Sequence, residues 1–317
     1  MDGLFIGLLA VLLLSAPIYA ADKIRISMTG FAGQFMTFPL AHKRGFLKEE
    51  GIEAEIITVG GAIANISLGR GDIDYYTGLG TTTRAIIQGV LPGRVIVCYR
   101  LVPHHFLLGR AELKSVKDLK GKIIGVQLGS SRDVMARLMI QHFGLDPDKD
   151  MKFVAAGGTE GGMARMKQCL IDATALPVPW DYHGKKRGFT VLARAEDLFT
   201  YPFSGLATNT KKIKENPDEI KRVIRAGIKA NRFIRNNRDE TIPILMTTYR
   251  LDKEVGAALY DSLVKGYSED GSLPEDGFRR LIEDTKSVIK ITRDVAASEV
   301  ADLSILRQVQ KEMGIKQ

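Results

Sequence analysis

The chain has little of the covalent cross-linking that stabilises small secreted folds: only two cysteines, Cys98 and Cys169, occur among its 317 residues. A disulfide framework is therefore excluded as the main source of stability, although two cysteines can pair in an oxidising compartment. Both lie in apolar runs, in segments that belong to different halves of the chain. We therefore predict two buried free thiols that behave as small hydrophobic side chains. The sequence also lacks low-complexity tracts and blocks of like charge, which excludes a long disordered arm.

The amino-terminal apolar run, Leu4–Ala16, is short of the roughly 20 residues that a membrane-spanning helix needs. Small residues follow it, and cleavage after Ala20 is typical of a secretory signal peptide. No Lys or Arg precedes the run, so the positive charge of the signal would come from the amino terminus or from residues upstream. We predict that residues 1–20 are a cleaved signal peptide and that the mature protein is periplasmic. A buried N-terminal helix is the alternative.

Several sequence signatures of enzymes and nucleotide-binding proteins are missing. The segment "GLGTTT" (78–83) has Thr83 where a dinucleotide fingerprint has its third glycine, and "GKIIG" lacks the Ser or Thr of a P-loop. No G-x-S-x-G elbow is present. These absences predict a protein that is not an enzyme and that uses no cofactor.

The sequence offers no metal-ligand cluster. His104 and His105 are adjacent, and adjacent side chains in a strand point to opposite faces. No third His or Cys with suitable spacing is near. We therefore expect no metal site and assign the two histidines a hinge or packing role.

The formal net charge is +8, and the basic residues are scattered, with the densest cluster in "GKKRG" (184–188). Such a cluster is typical of a solvated surface. We predict no nucleic-acid partner, and we expect the positive charge to favour an anionic ligand.

Two segments of the chain repeat the same order of elements. "KIRISM" (23–28) begins one βαβαβ series and "KIIGVQ" (122–127) begins the other, and glycine turns follow the strands in both. This alternation predicts two α/β lobes with parallel sheets and crossover helices. Asp74 and Asp172 stand at equivalent places, each before the third strand of its series, and we expect each to accept a hydrogen bond from nearby backbone.

The rest of the chain predicts how the lobes are joined. Crossings near 101–105 and 203–207 are the hinge candidates, and from Pro217 onward successive amphipathic helices form a tail that packs mainly on the first lobe. We predict lobe 1 from residues 21–103 plus 206–317, and lobe 2 from residues 104–205. Ligands of open parallel sheets bind at the carboxyl ends of the strands. Two such lobes facing each other would close on a small molecule by hinge motion.

Four segments resemble one known family. They are "PLAHKRGFLKEEGIEAEII" (39–57), "LGRGDIDYY" (68–76), "SVKDLKGKIIGVQLGSS" (115–131) and "KENPDEIKRVI" (214–224). In this order they resemble the extracytoplasmic substrate-binding proteins of ABC importers, in the group that handles alkanesulfonates, taurine, nitrate and thiamine-precursor pyrimidines. The resemblance implies a type II periplasmic binding protein, a "Venus flytrap" that delivers its solute to a membrane permease and its ATPase. It is specific for the fold group and not for the ligand.

The resemblance also implies which loops contact the ligand, and the chemistry of those loops selects residues within them. Polar side chains in these loops offer hydrogen bonds beside glycine N–H groups, and aromatic rings offer stacking. The polar residues are Gln34, Thr81, Ser130, Ser131, Arg132 and Thr159. The predicted ligand-binding residues are Gln34, Phe35, Gly61, Ala62, Gly78, Gly80, Thr81, Ser130, Ser131, Arg132, Gly158, Thr159 and Trp180. The alternative for Trp180 is that it packs within its lobe instead of stacking on the ligand. Of the phenylalanines near the first loop, we expect one or two of Phe31 and Phe35 to line the cleft and Phe38 to lie in the core.

The start of the helix after "KIIGVQ" could hold an anion. Ser130 and Asp133 fit an S-x-x-D capping box, and Asp133 places a negative charge in the first turn. Arg132 can pair with a carboxylate, sulfonate or phosphate, and its alternative is a solvated helix-start arginine. We therefore expect Ser131 and Arg132, rather than the helix dipole alone, to set the affinity for an anion.

The leading hypothesis is a monomeric binding protein for a small, anionic organic solute of the sulfonate, carboxylate or pyrimidine type. A cytosolic enzyme of pyrimidine or menaquinone biosynthesis on the same fold is the main alternative. Such enzymes lack export signals and carry a dedicated catalytic His or Cys. A ligand-sensing module that docks to a receptor remains a third possibility, whereas the lack of a DNA-binding segment before the first lobe disfavours a transcription regulator.

Overall fold

The computed structural model describes residues 21–30, 33–128 and 130–316; the predicted signal peptide and Phe31 lie outside the described residues. The described residues form two five-stranded sheets. In chain order the strands are β1 (Asp22–Met28), β2 (Ile52–Thr58), β3 (Tyr75–Gly78), β4 (Gly93–Arg100), β5 (His105–Gly109), β6 (Ile123–Val126), β7 (Lys152–Ala155), β8 (Ala173–Pro177), β9 (Thr190–Arg194) and β10 (Ser204–Asn209).

The two sheets have matching topologies. Their strand orders are β2-β1-β3-β10-β4 and β7-β6-β8-β5-β9. The first three strands in each order are parallel, as the sequence predicted. The fourth strand of each sheet, β10 or β5, is antiparallel to both of its neighbours. The sheets are therefore mixed rather than purely parallel, because the chain enters each fourth strand from the other sheet, β5 after β4 and β10 after β9 and the short α8, instead of through a crossover helix within one sheet.

Helices follow most strands and make up the carboxyl-terminal third of the chain. They are α1 (Thr37–Lys43), α2 (Phe46–Glu49), α3 (Gly61–Arg70), α4 (Leu79–Ile87), α5 (Ser131–His142), α6 (Thr159–Lys167), α7 (Trp180–Lys186), α8 (Ala195–Leu198), α9 (Thr210–Glu215), α10 (Pro217–Asn236), α11 (Arg238–Tyr249), α12 (Lys253–Leu263), α13 (Glu275–Ile289), α14 (Ala297–Val300) and α15 (Ser304–Glu312). The α/β fold class with two βαβαβ series and a helical tail is confirmed.

Two chain crossings connect the sheets side by side. The first runs from β4 to β5, and the second runs from α8 to β10. Backbone hydrogen bonds join them: Tyr201 N–H donates to Leu101 O at 2.8 Å, and Phe203 N–H donates to Arg100 O at 2.9 Å. A two-stranded connection of this kind is where two rigid bodies can rotate about each other.

The repeated aspartates bind backbone, as their position predicted. Asp74 Oδ2 accepts a hydrogen bond from Arg25 N–H at 2.7 Å, and Asp172 Oδ2 accepts one from Ile123 N–H at 2.9 Å. In each half the carboxylate therefore ties the third strand to the first. Asp74 also pairs with Lys212 at 2.5 Å, and Asp172 pairs with Arg110 at 3.3 Å.

The last predicted helix is interrupted. "SEVADLSILRQVQKEM" reads as one amphipathic helix, but the structure has the short α14 and then α15. Between them Ala301 forms a parallel β-bridge with Val95 of β4, and Asp302 N–H donates to Val95 O at 2.9 Å. Pairing with the edge of the first sheet satisfies backbone groups that a continuous helix would have kept for itself.

One of the two cysteines differs from its prediction. Both are free thiols, but Cys98 is buried in β4 whereas Cys169 is exposed. Cys169 follows α6 with a positive φ of 56°, so the helix ends there and the side chain is not carried into the core. Its prediction as a buried thiol is wrong. No helix among the described residues is both long and apolar enough to cross a membrane.

Candidate functional site

A cavity of about 280 Å³ lies between the two sheets. Its walls come from both βαβαβ series, from the second crossing and from the tail helix α13. We call it the cleft cavity; its lining residues are Thr29, Phe35, Gly78, Gly80, Thr81, Arg84, Ser130, Ser131, Val134, Met135, Tyr201, Pro202, Phe203, Leu281, Asp284, Thr285 and Val288. The volume is near the lower end of the range of small-molecule sites, roughly 300–1,000 Å³.

A larger surface depression of about 740 Å³ is a weaker candidate. It is lined only by residues of the second half, between Arg110 and Phe189. Arg110 in its wall is already paired with Glu112 at 2.6 Å and with Asp172. The cleft cavity is the better site because it gathers strand ends from both sheets, where open α/β sheets bind ligands.

The first loop contributes the stacking wall of the cleft cavity. A short 3-10 turn, Gly33–Phe35, buries Gln34 and Phe35. The ring of Phe35 stacks on Phe203, with centroids 6.1 Å apart. Tyr267 holds the turn by donating its hydroxyl hydrogen to Gly33 O at 2.8 Å. Phe35 therefore lines the cavity as the sequence predicted.

Phe38 lies one helical turn further on and packs into the core. Its ring is edge-on to Tyr99, with centroids 5.5 Å apart, and its side chain is buried. This confirms its prediction as a core residue.

The turn between β3 and α4 forms the next part of the wall. A Cβ on Gly78 would lie 2.5 Å from Thr29 Oγ1 and from Tyr76 Oη, so only glycine fits there. Tyr76 Oη is within 3.1 Å of both Thr29 Oγ1 and Thr81 Oγ1. These three hydroxyls form a chain that presents Thr29 and Thr81 to the cavity.

The turn between β2 and α3 is placed elsewhere. Gly61 N–H donates to Tyr76 Oη at 3.0 Å, so it supports the hydroxyl chain from behind. Gly61 and Ala62 are not among the residues that line the cleft cavity. Their part in ligand binding stays a prediction.

Ser130 and Ser131 bring the start of α5 to the cavity. Ser130 is the N-cap, as predicted, and its hydroxyl accepts a hydrogen bond from Arg132 N–H at 3.2 Å rather than from Asp133 N–H. The carboxylate of Asp133 pairs with Arg137 Nε at 2.8 Å. The charge that we expected to oppose an anion is therefore already compensated.

Arg132 is half-buried and points its guanidinium at Gln127, whose Oε1 accepts a hydrogen bond at 2.5 Å. Partial burial lowers the pKa of Arg132. The residue does not line the cavity, but its positive charge is one of the causes that lower the pKa of His105. Its electrostatic influence thus reaches the region of the first crossing.

Three further predicted residues are not part of the lining of the cleft cavity. Gly158 is the N-cap of α6 and Thr159 begins that helix. Trp180 begins α7 and packs partly buried against the hydrophobic core, with its ring centroid 5.2 Å from that of His183. None of the three lines the cavity, so their ligand contacts stay predictions.

The structure adds Arg84 of α4, which the sequence pattern had not singled out. Arg84 lines the cleft cavity, and its Nε is buried without a hydrogen-bond partner among the described residues. No carboxylate in the described part of the chain pairs with it. Arg84 lies in a helix whose sequence is otherwise apolar and rich in threonine. Which side of α4 faces the cleft depends on how the two sheets meet, and the local sequence does not show this.

A carboxylate and a phenol also line the cavity. Burial raises the pKa of Asp284, against the opposing influence of Arg280 and of a hydrogen bond with Tyr201. Burial, followed by the charge of Asp284, raises the pKa of the Tyr201 hydroxyl. Asp284 was missed because α13 was interpreted only as part of a tail that packs on the first lobe; α13 does pack on α4 and also forms a wall of the cleft. Tyr201 lies in the second crossing, which was interpreted only as a hinge.

The two adjacent histidines converge instead of pointing apart. Their ring centroids are 4.4 Å apart, and the rings lie edge-on to Phe203 at 4.5 Å for His104 and 5.8 Å for His105. The expectation of opposite faces is wrong because β5 begins at His105, so His104 still has the irregular backbone of the crossing. Burial lowers the pKa of both rings, that of His105 to about 3. Within the described residues no group of three or more His, Cys, Asp or Glu side chains could hold a metal ion.

Comparison with known proteins matches the sequence of the chain to one protein family. The family model described as "NMT1/THI5 like" matches residues 32–241. A protein of Brucella abortus (strain 2308) described as a binding protein is 26% identical over 242 residues, which are 74% of each chain.

Solved structures agree on the fold. The periplasmic sulfonate-binding protein SsuA of Methylobacillus flagellatus KT superposes with a TM-score of 0.77 at 16% identity, covering 94% of this chain and 97% of that one. The desulfurization enzyme DSZB superposes with a TM-score of 0.65 at 16% identity, covering 92% and 99%. The fold is therefore shared by binding proteins and by at least one enzyme.

Proposed function

The chain belongs to the NMT1/THI5-like family, and from this membership we propose that it is an extracytoplasmic solute-binding protein of an ABC importer. The observation that carries the proposal is the cleft cavity, whose walls come from the strand ends of both sheets and from α13. A site divided in this way between two halves is complete only when they approach each other. Solute binding and closure are thereby coupled.

The proposed solute is a small organic anion of the sulfonate, carboxylate or pyrimidine type. Phe35, Phe203 and the aliphatic side chains of α5 and α13 give an apolar wall, and Arg84 offers a guanidinium that no carboxylate neutralises within the described residues. An arginine can bind a carboxylate or sulfonate through two parallel hydrogen bonds. The resemblance to a sulfonate-binding protein supports the same class.

We favour binding over catalysis. Cys98 is buried in β4, and burial raises its pKa to about 12. Cys169 is exposed after α6. Neither cysteine lines the cavity. His104 and His105 have lowered pKa values, far from the neutral range in which a general base works best. An enzyme on the same fold, as the likeness to DSZB illustrates, is the competing function.

We further propose how the two lobes move and which proteins receive the solute. The two lobes, residues 21–103 plus 206–317 and residues 104–205, close about the crossings, and the loaded monomer delivers its solute to a permease and ATPase. Residues 1–20 direct export to the periplasm. Six predicted residues that do not line the cavity would approach the solute only on further closure. They are Gly61, Ala62, Arg132, Gly158, Thr159 and Trp180.

A thermal-shift panel tests the proposal. Residues 21–317 are mixed with sulfonates, carboxylates and pyrimidines, and the melting temperature is recorded. At a solute concentration of 100 Kd, binding to the folded state adds about 2.7 kcal/mol to the free energy of unfolding. A rise with at least one class is expected. The absence of a shift with every class, together with recovery of the protein from the cytoplasm on cell fractionation, would refute the proposal.

Two arginine variants test the charge of the solute. We expect Arg84→Gln to weaken the best anionic solute of the panel by more than tenfold, about 1.4 kcal/mol, because it removes the guanidinium that lines the cavity. Arg132→Ala tests the arginine predicted from the sequence, and the same loss is expected if closure brings it to the solute. Calorimetric titration measures both, and an unchanged affinity in both variants would indicate an uncharged solute.

A further inference from the structure

Three buried polar side chains with unpartnered atoms lie close to the aromatic wall of the cleft cavity, although none of them is among the residues that line it. Gln34, His104 and His105 are 9%, 4% and 3% exposed. Gln34 Oε1 and the Nδ1 atoms of both histidines have no hydrogen-bond partner among the described residues. Both histidine rings pack on Phe203, and Phe203 stacks on Phe35, the neighbour of Gln34.

Such atoms call for an explanation because buried polar groups in native proteins almost always have partners. Their occurrence together, beside two rings that line a cavity, points to a partner that enters through the cavity. A purely structural role explains them poorly, since apolar side chains of the same shape would pack equally well without the desolvation cost.

The local charges limit what that partner can be. Arg100 and Arg132 place positive charge near the histidines, and burial keeps both imidazoles neutral. Arg100 is only partly occupied: its Nη1 donates to Leu263 O at 3.0 Å and its guanidinium lies over the ring of Tyr267, whereas its Nε and Nη2 have no hydrogen-bond partner among the described residues. An anion has no N–H or O–H to donate to Gln34 Oε1, and its charge would have to be desolvated here. A neutral group needs only hydrogen bonds, and the positive potential favours turning its acceptor atom toward the histidines.

We propose that Gln34, His104 and His105 form a second, uncharged subsite of the cleft, which binds a neutral donor–acceptor group of the solute such as a carboxamide or a ring amide. The acceptor atom of that group faces the histidines, and its N–H faces Gln34 Oε1. The anionic end of the same solute lies toward Arg84. This inference rests on the proposed function and adds that the solute has two different polar ends.

The test compares two probes that share the anionic end. 4-Carbamoylbenzoate carries a neutral carboxamide opposite its carboxylate, and 4-isopropylbenzoate carries an apolar group of similar shape. Calorimetric titration of residues 21–317 should give at least tenfold tighter binding of the carboxamide. Equal or tighter binding of the isopropyl probe overturns the subsite while leaving the proposed function standing. If the wild-type protein binds neither probe nor any solute of the thermal-shift panel, the proposed function fails and the subsite fails with it.

Variants of the histidines separate a binding role from a structural one. His104→Phe and His105→Phe keep ring volume and remove the polar atoms, so both should abolish the preference for the carboxamide while affinity for 4-isopropylbenzoate is kept. His105→Asn, which keeps a polar atom near the position of Nδ1, should restore part of the preference. His142→Phe, at an exposed position near the end of α5, is the matched control and should change nothing.

The melting temperature of the free variants gives a second readout that needs no ligand. Because the phenylalanine variants remove unpaired polar atoms, the free protein should melt at the same temperature or higher. A fall of several degrees in both variants would show that the histidines are structural and would overturn the inference. An unchanged carboxamide preference in both variants would overturn it as well.

Discussion

Asp284 is the only carboxylate among the described residues that line the cleft cavity, and its environment disfavours its charged form. Burial raises its pKa, while Arg280 and the Tyr201 hydroxyl counteract part of that effect. A carboxyl group whose pKa is higher in the folded than in the unfolded state binds protons preferentially in the folded state. Its contribution to stability is therefore present at low pH and is lost as the pH rises through the folded pKa.

We predict that Asp284→Asn removes this loss, because the amide resembles the protonated acid at every pH. Relative to the wild type, the variant should gain free energy of unfolding as the pH rises from about 4 to about 8, by about 1.4 kcal/mol for each unit of pKa difference. Urea unfolding across that range measures the effect. Asp276→Asn removes an exposed carboxylate in the first turn of α13 and is the control. Parallel curves for the wild type and Asp284→Asn would contradict the prediction.

Single residues could be assigned from the sequence where their role depends on nearby chain. Ser130 was recognised as a helix cap, and Asp74 and Asp172 were recognised as backbone ligands, because each pattern repeats a known local geometry. Arg84 and the two histidines were not recognised as site candidates. Their importance comes from the face of α4 and the course of the first crossing, which depend on how the two sheets meet.

At the scale of elements, Asn231 of α10 holds together the segments that frame the first loop. It is fully buried. Its amide donates to Tyr99 O and to Ser268 O, each at 2.8 Å, and its Oδ1 accepts from Thr37 Oγ1 at 2.8 Å. One side chain thus joins α10 to the end of β4, to the start of α1 and to the turn that leads into α13.

We predict that Asn231→Leu destabilises the protein by at least about 2 kcal/mol, because it leaves several buried polar groups without partners. Affinity for the solute should fall as well, since α1 follows the turn that carries Gln34 and Phe35. Chemical denaturation and calorimetric titration measure the two effects. Asn236→Leu, at an exposed position at the carboxyl end of the same helix, is the control. Wild-type stability in Asn231→Leu would show that the network is not needed.

Elements were predictable from the sequence where hydrophobic periodicity and glycine turns agree, which covers both βαβαβ series and most of the tail. The interruption between α14 and α15 was not predictable, because the periodicity of that segment suits one helix. Its cause is the β-bridge from Ala301 to Val95, a partner more than two hundred positions earlier in the chain. In the same way, the antiparallel strands β5 and β10 follow from the paired crossings and not from any local pattern.

At the scale of the whole molecule, a polar contact joins the two halves of the chain outside the crossings. Lys186 of α7, beside the second sheet, lies 3.1 Å from Glu254 of α12, which packs under the first loop. Lys186 Nζ also lies 4.5 Å from the ring centroid of Tyr182 in the same helix. Both ends of the pair are exposed, so its strength depends on salt and its contribution to stability is small.

We predict that this pair biases the protein toward the approach of its two halves and so toward binding. Glu254→Lys should weaken the best solute of the panel severalfold, because attraction between α7 and α12 becomes repulsion, and the loss should shrink at high salt. Exchanging the charges in the double variant Lys186→Glu/Glu254→Lys should restore most of the affinity. Asp261→Lys reverses the exposed partner of Arg238 within the first half and should leave affinity unchanged. Since a pair that acts only locally could not couple to the cleft, equal affinities for the wild type and Glu254→Lys at low salt would mean that closure does not depend on this contact.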